Sequence, residues 1–269
     1  MNKHKIIKKL ITIVIPTKNR SVLVKKIISE IRTFINRVDI IIVDDNSKFD
    51  ESKNLSKYLS TFKNINYLRL SKNRGQSYAC NLGLKLCKTK YIWFFDDDDF
   101  MQKKTLSSVI KHISKNNPNG ILLPMKQFYK KKLIKYVCPT PEDHFYNCLR
   151  NQQQKVSTSC AIFKKSKILD IKGWDEKIFG GTDTDLFLRF SKNNIFYTLK
   201  TNPIAVNFDI PNRVTNNFYR QQKAKIYFLK KHWKTLTSKR RIYYIISYIL
   251  CFSLLNSLKS KLRSIYYKT

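Results

Sequence analysis

Four aspartates stand side by side in YIWFFDDDDF (residues 91–100), directly after five bulky apolar side chains. Asp96, Asp97, Asp98 and Asp99 are taken from a chain with only 18 acidic residues against 53 basic ones. An acidic run is ordinarily a solvated face. A run at the end of an apolar, strand-like segment in an acid-poor chain points elsewhere. Clustered hard oxygens suit Mg²⁺ or Mn²⁺, which can neutralise the phosphate oxygens of a substrate. Carboxylates two apart on an extended chain point the same way, so Asp96 and Asp98 form the expected pair.

Other polar clusters carry weaker signals. VIPTKNR (14–20) offers Thr17 and Asn19, and IVDDNS (42–47) offers Asp44 and Asp45. Such residues after a strand commonly cap the next helix. Their second reading is a base and ribose pocket, with Asp45 accepting from a base N–H. KNRGQSYACN (72–81) places Arg74 and Gly75 at the mouth of a helix, a position suited to a diphosphate or base contact and equally to ordinary surface. GGTDTDL (180–186) puts Asp183 at a helix start. There it is either an N-cap or a general base that reaches a substrate hydroxyl from the side opposite the metal.

The elements that must position these residues follow from periodicity. Strand-like runs at 11–16, 40–45, 65–70, 91–95 and 120–125 alternate with helical spacing at 21–35, 51–62, 76–87 and 105–116. Strict alternation with strands apolar on both faces predicts an α/β fold, a doubly wound, mostly parallel sheet with helices on each side. Ligands of such sheets bind outside the carboxyl ends of the strands, where all the first clusters fall. The second half is less regular. Residues 130–143 read as a loop, 157–163 as a strand, and 173–193 as a glycine-rich loop entering a helix near Asp183.

The length of 269 residues suits one domain over 1–215 followed by a basic, apolar helical tail over 216–269. Apolar content of 42% with 13% aromatics is that of a globular protein. Six cysteines without CxxC or metal-ligand spacing read as buried thiols of a reducing cytosol. MNKHKIIKKL is basic, but the apolar run after it ends at Pro16, so no signal peptide is expected. The net charge of +35 attracts polyanions without choosing among nucleic acid, anionic lipid and phosphorylated substrates. The uncharged stretch 242–258 is short for a membrane span, which needs about 20 apolar residues. It reads equally as a helix on an anionic membrane surface and as a core helix.

The motifs VIPTKNR, IIVDDNS, NRGQSYACNLGL, FFDDDDF and GWDEKIFGGTDTDLFLR, in this order, resemble the inverting family 2 glycosyltransferases of the GT-A fold. The resemblance covers roughly residues 10–215. It implies that Asp96, the first residue of a D-x-D motif, contacts ribose and that Asp98 binds Mn²⁺ or Mg²⁺. It places Thr17 and Asp45 on the base, with Pro16, Asn19, Arg20, Arg74 and Asp97 completing the nucleotide-sugar site, and makes Asp183 the catalytic base. The implied partners are a nucleotide-sugar donor, UDP-linked first of all, and a glycan or polyprenyl-linked acceptor in bacterial surface polysaccharide synthesis. The expected location is cytoplasmic, peripheral on the inner face of the membrane.

Three departures from the family pattern bear on this. Thr182 stands where the family often has Glu before its catalytic Asp, a change expected to touch acceptor binding. The Q-x-x-R-W signature of processive synthases is absent, which favours transfer of a single sugar. Residues 207–217, where many relatives carry a histidine, offer Asp209 instead. Two other classes stay open. A nucleic-acid-binding module fits the charge, although four aspartates would meet the phosphate backbone, so no nucleic acid is expected as a partner. A nucleotidyltransferase also uses metal carboxylates, but it usually needs a glycine-rich phosphate loop, and PTKNRS has no glycine.

Overall fold

The computed structural model describes residues 9–140, 144–151, 157–207 and 218–249. The chain runs β1 (Ile11–Thr17), α1 (Ser21–Ile31), β2 (Asp39–Asp44), α2 (Phe49–Leu59), β3 (Ile65–Arg69), α3 (Gln76–Leu86), β4 (Tyr91–Phe94) and α4 (Lys103–Asn116). It continues through β5 (Gly120–Leu122), β6 (Met125–Tyr129), β7 (Lys132–Val137), α5 (Phe145–Arg150), β8 (Ala161–Lys164) and α6 (Lys165–Asp170). Then come α7 (Thr182–Ser191), β9 (Phe196–Thr198), β10 (Ile204–Asn207) and α8 (Phe218–His232). Seven strands form one sheet in the order β3-β2-β1-β4-β8-β5-β9, and β10-β6-β7 form a second, smaller sheet.

Strands β3, β2, β1 and β4 are parallel, as the alternation predicts. All seven residues of β1 are buried. Ile13 and Ile15 pack towards α1, α2 and α4, while Val14 packs towards α3 and α7. Each such burial contributes roughly 1.5–3 kcal/mol. Because both faces are apolar, this gain would survive a one-residue slip, so hydrophobicity leaves the register weakly specified. Polar groups at the strand ends fix it. The Thr17 carbonyl accepts from Asp45 N–H at 2.8 Å, and Thr12 bonds Thr89 at 2.7 Å in the interior. Helix α3 lies so close to β1 that a Cβ on Gly83 would collide with Val14.

The sheet order reverses between β1 and β4, which makes the gap beyond their carboxyl ends the topological switch point. Pro16 is tolerated in this central strand for a geometric reason. Val14 C=O accepts from Phe95 and Thr17 C=O accepts from Asp45, so alternate residues face alternate neighbours. Pro16 therefore faces the side on which β4 has already ended, where its missing N–H breaks no pairing.

Four expectations need correction. The strand at 120–125 is two strands in two sheets, broken at Leu123–Pro124. Within 130–143 lies β7, the outer strand of a hairpin with β6, rather than loop throughout. The stretch 157–163 opens with a short 3-10 turn and only then enters β8, which runs antiparallel to both neighbours. The helix expected over 21–35 ends at Ile31 and continues as a 3-10 segment, Arg32–Arg37. Among the described cysteines, Cys80, Cys87 and Cys160 are buried, but Cys138 is exposed.

The described part of 216–269 packs against the α7 side of the sheet. Ala224, Phe228 and Leu236 are buried, and Phe228 and Leu236 join the core beside Phe187. A helical segment follows over 238–249. It turns Arg240 and Tyr244 towards Phe228 and leaves Ile242, Ile246 and Ile249 exposed. Among the described residues, no helix is long and apolar enough to cross a membrane.

Candidate active site

The turns after β1 and β2 are sewn to each other, and the second also to the helix that follows it. Asn19, at φ +54°, donates its N–H to Ser47 Oγ at 2.7 Å and accepts from Lys48 N–H at 2.7 Å. Asp44, fully buried, accepts from Ser47 N–H, Ser52 Oγ and Tyr67 OH at 2.6–2.8 Å. Neither α1 nor α2 is capped by the side chain of its own N-cap residue, so the capping role open for these residues is not the one they fill. Both oxygens of Asp45 accept backbone N–H groups, from Arg74 at 2.6 Å and Gly75 at 2.8 Å. Gly75 holds this position at φ +89°, a conformation few side chains tolerate. The Arg74 guanidinium stacks over the Tyr78 ring at 3.9 Å.

One residue further on, the first residue of α3 reaches the acidic run. Gln76 donates its amide to Asp96 at 2.7 Å, so the β2 turn and the aspartates are linked through three consecutive residues, Arg74, Gly75 and Gln76. Asp96 N–H is fixed by Ser159 Oγ at 2.9 Å, and the Ser159 carbonyl accepts from the Trp93 indole at 2.9 Å. The run itself is a turn, in which Asp99 N–H donates to Asp96 C=O at 3.2 Å. This folds Asp99 back, and carboxylate oxygens of Asp96, Asp98 and Asp99 all lie within 4.8 Å of one another. Asp97 is turned inward instead. It accepts from Thr17 Oγ1 at 2.7 Å and Arg20 at 2.8 Å, while Arg20 also reaches Asp98 at 3.3 Å.

The electrostatics of this turn are unfavourable as they stand. Burial, then the charges of Asp99, Asp98 and Asp183, hold the Asp96 carboxyl well above its usual range. Burial also lifts Asp97, to about 6, against the opposing pull of Arg20. A divalent cation on three hard oxygens would relieve this repulsion, so the donor set fits Mg²⁺ or Mn²⁺. Asp183 lies within electrostatic reach of this turn. Its charge adds to the upward push of burial and Asp96 on Cys80, and of burial, Asp99 and Asp96 on Cys160, as it does on Asp96 itself.

Asp183 sits in the first turn of α7, which begins at Gly181 with φ +69° and no side-chain cap. Two residues on, Asp185 is 1% exposed and ringed by basic side chains. Arg189 approaches at 2.7 Å, Lys231 at 2.6 Å and His232 Nε2 at 2.7 Å. Burial alone would raise its carboxyl. The bond to His232 and the charges of Arg189 and Lys231 outweigh that and hold it well below the ordinary carboxylate range.

The sequence expectation thus finds Thr17, Arg20, Asp97 and Asp98 bonded together, Asp45 on the Arg74 loop, and Asp183 within electrostatic reach of Asp96. Asp209 lies outside the described residues. The expectation passed over Asp99, Gln76, Ser159 and Asp185. Asp99 was visible in the quoted run, and only the assumption of an extended chain set it aside. Gln76 and Ser159 carry no local signal.

A carboxylate cluster that fits a divalent cation stands at the switch point of a doubly wound α/β sheet, with a further aspartate, Asp183, within electrostatic reach of it. Residues 12–171 match the family model described as glycosyl transferase family 2, and the chain belongs to that family. An uncharacterised glycosyltransferase of Methanocaldococcus jannaschii is 25% identical over 202 residues, covering 72% of this chain and 68% of its own length. The poly-beta-1,6-N-acetyl-D-glucosamine synthase of Staphylococcus epidermidis is 23% identical over 225 residues, 78% of this chain, which spans only 53% of that protein. Staphylococcus aureus TarS in complex with UDP-GlcNAc superposes with a TM-score of 0.65 at 15% identity, over 82% of this chain and 66% of that one. A Pyrobaculum calidifontis mannosyltransferase in complex with GDP-Man and Mn²⁺ gives 0.59 at 15% identity, over 87% and 68%. These structures establish the GT-A fold. Family membership places the chain among glycosyltransferases rather than nucleotidyltransferases or nucleic-acid-binding modules.

Proposed function

We propose that the chain transfers one sugar, with inversion, from a nucleotide-sugar donor, UDP-linked first of all, to a hydroxyl of a glycan or lipid-linked glycan acceptor in surface polysaccharide synthesis. The observation that carries this reading is the convergence of Asp96, Asp98 and Asp99, with carboxylate oxygens within 4.8 Å of one another, at the sheet edge within electrostatic reach of Asp183. A UDP sugar is supported by the relative whose structure holds UDP-GlcNAc, and polysaccharide synthesis by the staphylococcal synthase.

In this reading the acceptor oxygen attacks the anomeric carbon, the bond from that carbon to the diphosphate oxygen breaks, and Asp183 takes the acceptor proton. The base rests near Asp45, Thr17 and Arg74, and Asp96 holds the ribose. Asp97 acts as a positioning residue, since both its oxygens are spent on Thr17 and Arg20. Asp98, with Asp96 and Asp99, would hold Mn²⁺ or Mg²⁺, which supplies charge neutralisation for the departing diphosphate. The test is product analysis with Asp183→Asn. The variant should fold and bind UDP but release it from a UDP-sugar at a rate lower by orders of magnitude. An unchanged rate would remove Asp183 from the role.

The tail fits a peripheral place on an anionic membrane face. Ile242, Ile246 and Ile249 fall on one side of the helical segment 238–249 and are exposed, and basic residues flank them. Co-flotation with vesicles containing 30% phosphatidylglycerol, compared with pure phosphatidylcholine, tests this. Equal recovery with both would count against it.

A further inference from the structure

The β6–β7 hairpin has no role in the donor reading, yet its side chains are unusual for a solvated edge. All residues from Tyr129 to Tyr136 are exposed, among them Tyr129 at 47%, Leu133 at 53%, Ile134 at 57% and Tyr136 at 52%. The others are Lys130, Lys131, Lys132 and Lys135, and no acidic residue stands between Asp99 and Glu142. Lysine on an outer strand ordinarily blocks pairing with another strand. That role accounts for the charges and leaves the large apolar side chains standing in water without a reason.

Two backbone features narrow the choice of partner. Gln127 pairs with Lys135 and Phe128 with Leu133, so Ile134 is an extra residue, a β-bulge in the outer strand. The bulge interrupts the open edge, which disfavours the addition of a peptide strand. Lys130 and Lys131 form the turn with φ of +47° and +62°, where Asn-Gly is the lower-cost pair. Neither local preference nor core packing accounts for lysine at both positions. A second copy of the hairpin is disfavoured as well, since lysines would face lysines.

What remains is a partner surface that is anionic and takes up apolar side chains. We infer that the hairpin docks on a bilayer containing anionic lipid. Tyr129, Leu133, Ile134 and Tyr136 enter the headgroup boundary, and Lys130, Lys131, Lys132 and Lys135 meet the headgroups. The docking surface is tied to the site. Phe100, directly after the carboxylate run, bridges Ala205 of β10 through two backbone bonds of 2.9 Å, and β10 pairs with β6. Phe128 and Lys131 also line a cleft of about 330 Å³ whose lining includes Asp97, Asp98 and Asp99. Docking the hairpin therefore sets how the carboxylate turn stands to the bilayer. This surface is separate from the helical segment 238–249, and the inference depends neither on the donor nor on Asp183.

The test uses the full chain carrying Ile134→Trp and vesicles of 30% phosphatidylglycerol in phosphatidylcholine, with nitroxide-labelled acyl chains on a fraction of the lipid. Quenching should exceed that of the wild type, whose own tryptophans set the background. Ile195→Trp, at an exposed position ahead of β9, should add none. In co-flotation, Leu133→Ser with Ile134→Ser, and separately Lys132→Ser with Lys135→Ser, should each lower the vesicle partition coefficient about tenfold. Lys111→Ser with Lys115→Ser, the same charge loss on α4, should change it less than about twofold. Each variant should keep the wild-type melting temperature, these side chains being exposed. Flotation without added quenching from Ile134→Trp would place the contact elsewhere and overturn the proposal, as would equal loss from the α4 pair. Tight retention of a single-stranded oligonucleotide by the hairpin lysines, with vesicle recovery indifferent to Leu133→Ser and Ile134→Ser, would assign the surface to a polynucleotide and overturn it too. Titration with UDP and Mn²⁺ should be the same in the wild type and the hairpin variants, so its result bears on the donor site alone.

Discussion

Asp183 and Asp185 lie two residues apart on one turn of α7, yet they belong to opposite kinds of acidic site. Asp185 is buried among Arg189, Lys231 and His232, and Arg189 together with Lys231, which it shares with Asp175, neutralises its charge. Asp183 lies within electrostatic reach of Asp96, whose carboxyl is pushed up by burial and by the charges of Asp99, Asp98 and Asp183. A compensated carboxylate stabilises the fold and has nothing left to offer a ligand. A cluster of like charges costs stability and is relieved by whatever cation or proton arrives. In a chain with 53 basic residues, which carboxylates are neutralised is a matter of placement, since cations are plentiful.

The largest effect expected from this contrast is on turnover. Asp183→Asn should lower it by about 10² to 10⁴ with little change in melting temperature, while Asp185→Asn should do the reverse. Removing the charge of Asp185 leaves Arg189 facing a neutral group and Lys231 with Asp175 alone, at a cost of about 3–5 kcal/mol read by thermal or urea unfolding. If Asp183→Asn unfolds the chain and Asp185→Asn does not, the contrast is wrong.

The pH dependence follows with a definite sign. The Asp185 carboxyl is lower in the folded chain than in the unfolded one, so its stabilisation is complete above the ordinary carboxylate range near 4 and fades as pH falls below it. The stability gap between wild type and Asp185→Asn should therefore narrow below about pH 4. A gap constant to pH 3 would show that packing, not charge, sets the loss.

A smaller effect should come from metal. Mn²⁺ at about 100 times its Kd should stabilise the wild type by about 2.7 kcal/mol, and Asp98→Asn should lose most of that rise. An equal rise in both would move the cation elsewhere. The smallest effect should come from the tail. Ile242→Ser, Ile246→Ser and Ile249→Ser should each change stability by less than about 0.5 kcal/mol, being exposed, while weakening recovery with anionic vesicles.

How far the sequence carried depended on the range of the interactions involved. The β1–β4 half was legible because each strand is a short Ile- and Val-rich run bounded by polar turns, and a parallel sheet follows from the alternation. The β6–β7 hairpin was not legible. Its turn is Lys130–Lys131 in place of Asn-Gly, and β7 is a lysine-rich outer strand with no buried face to impose a period-two pattern. The antiparallel β8 was hidden because strand direction is settled by where its neighbours lie. Asp96 and Asp98 were legible from their place after a strand, and Asp99 joined them through a turn that an extended reading excludes.

What the sequence by itself determined is the order of the motifs, the layered α/β class and the gathering of Thr17, Asp45 and Asp96–Asp99 at one sheet edge, because strand ends are local and the topology brings them together. What only the tertiary structure decided is the fate of each carboxylate. Asp97 meets Thr17 across 80 positions, Asp96 meets Ser159 across 63, and Asp185 meets His232 across 47. Charge compensation acts through space at a few ångströms, and no spacing along the chain records which lysine or histidine will arrive.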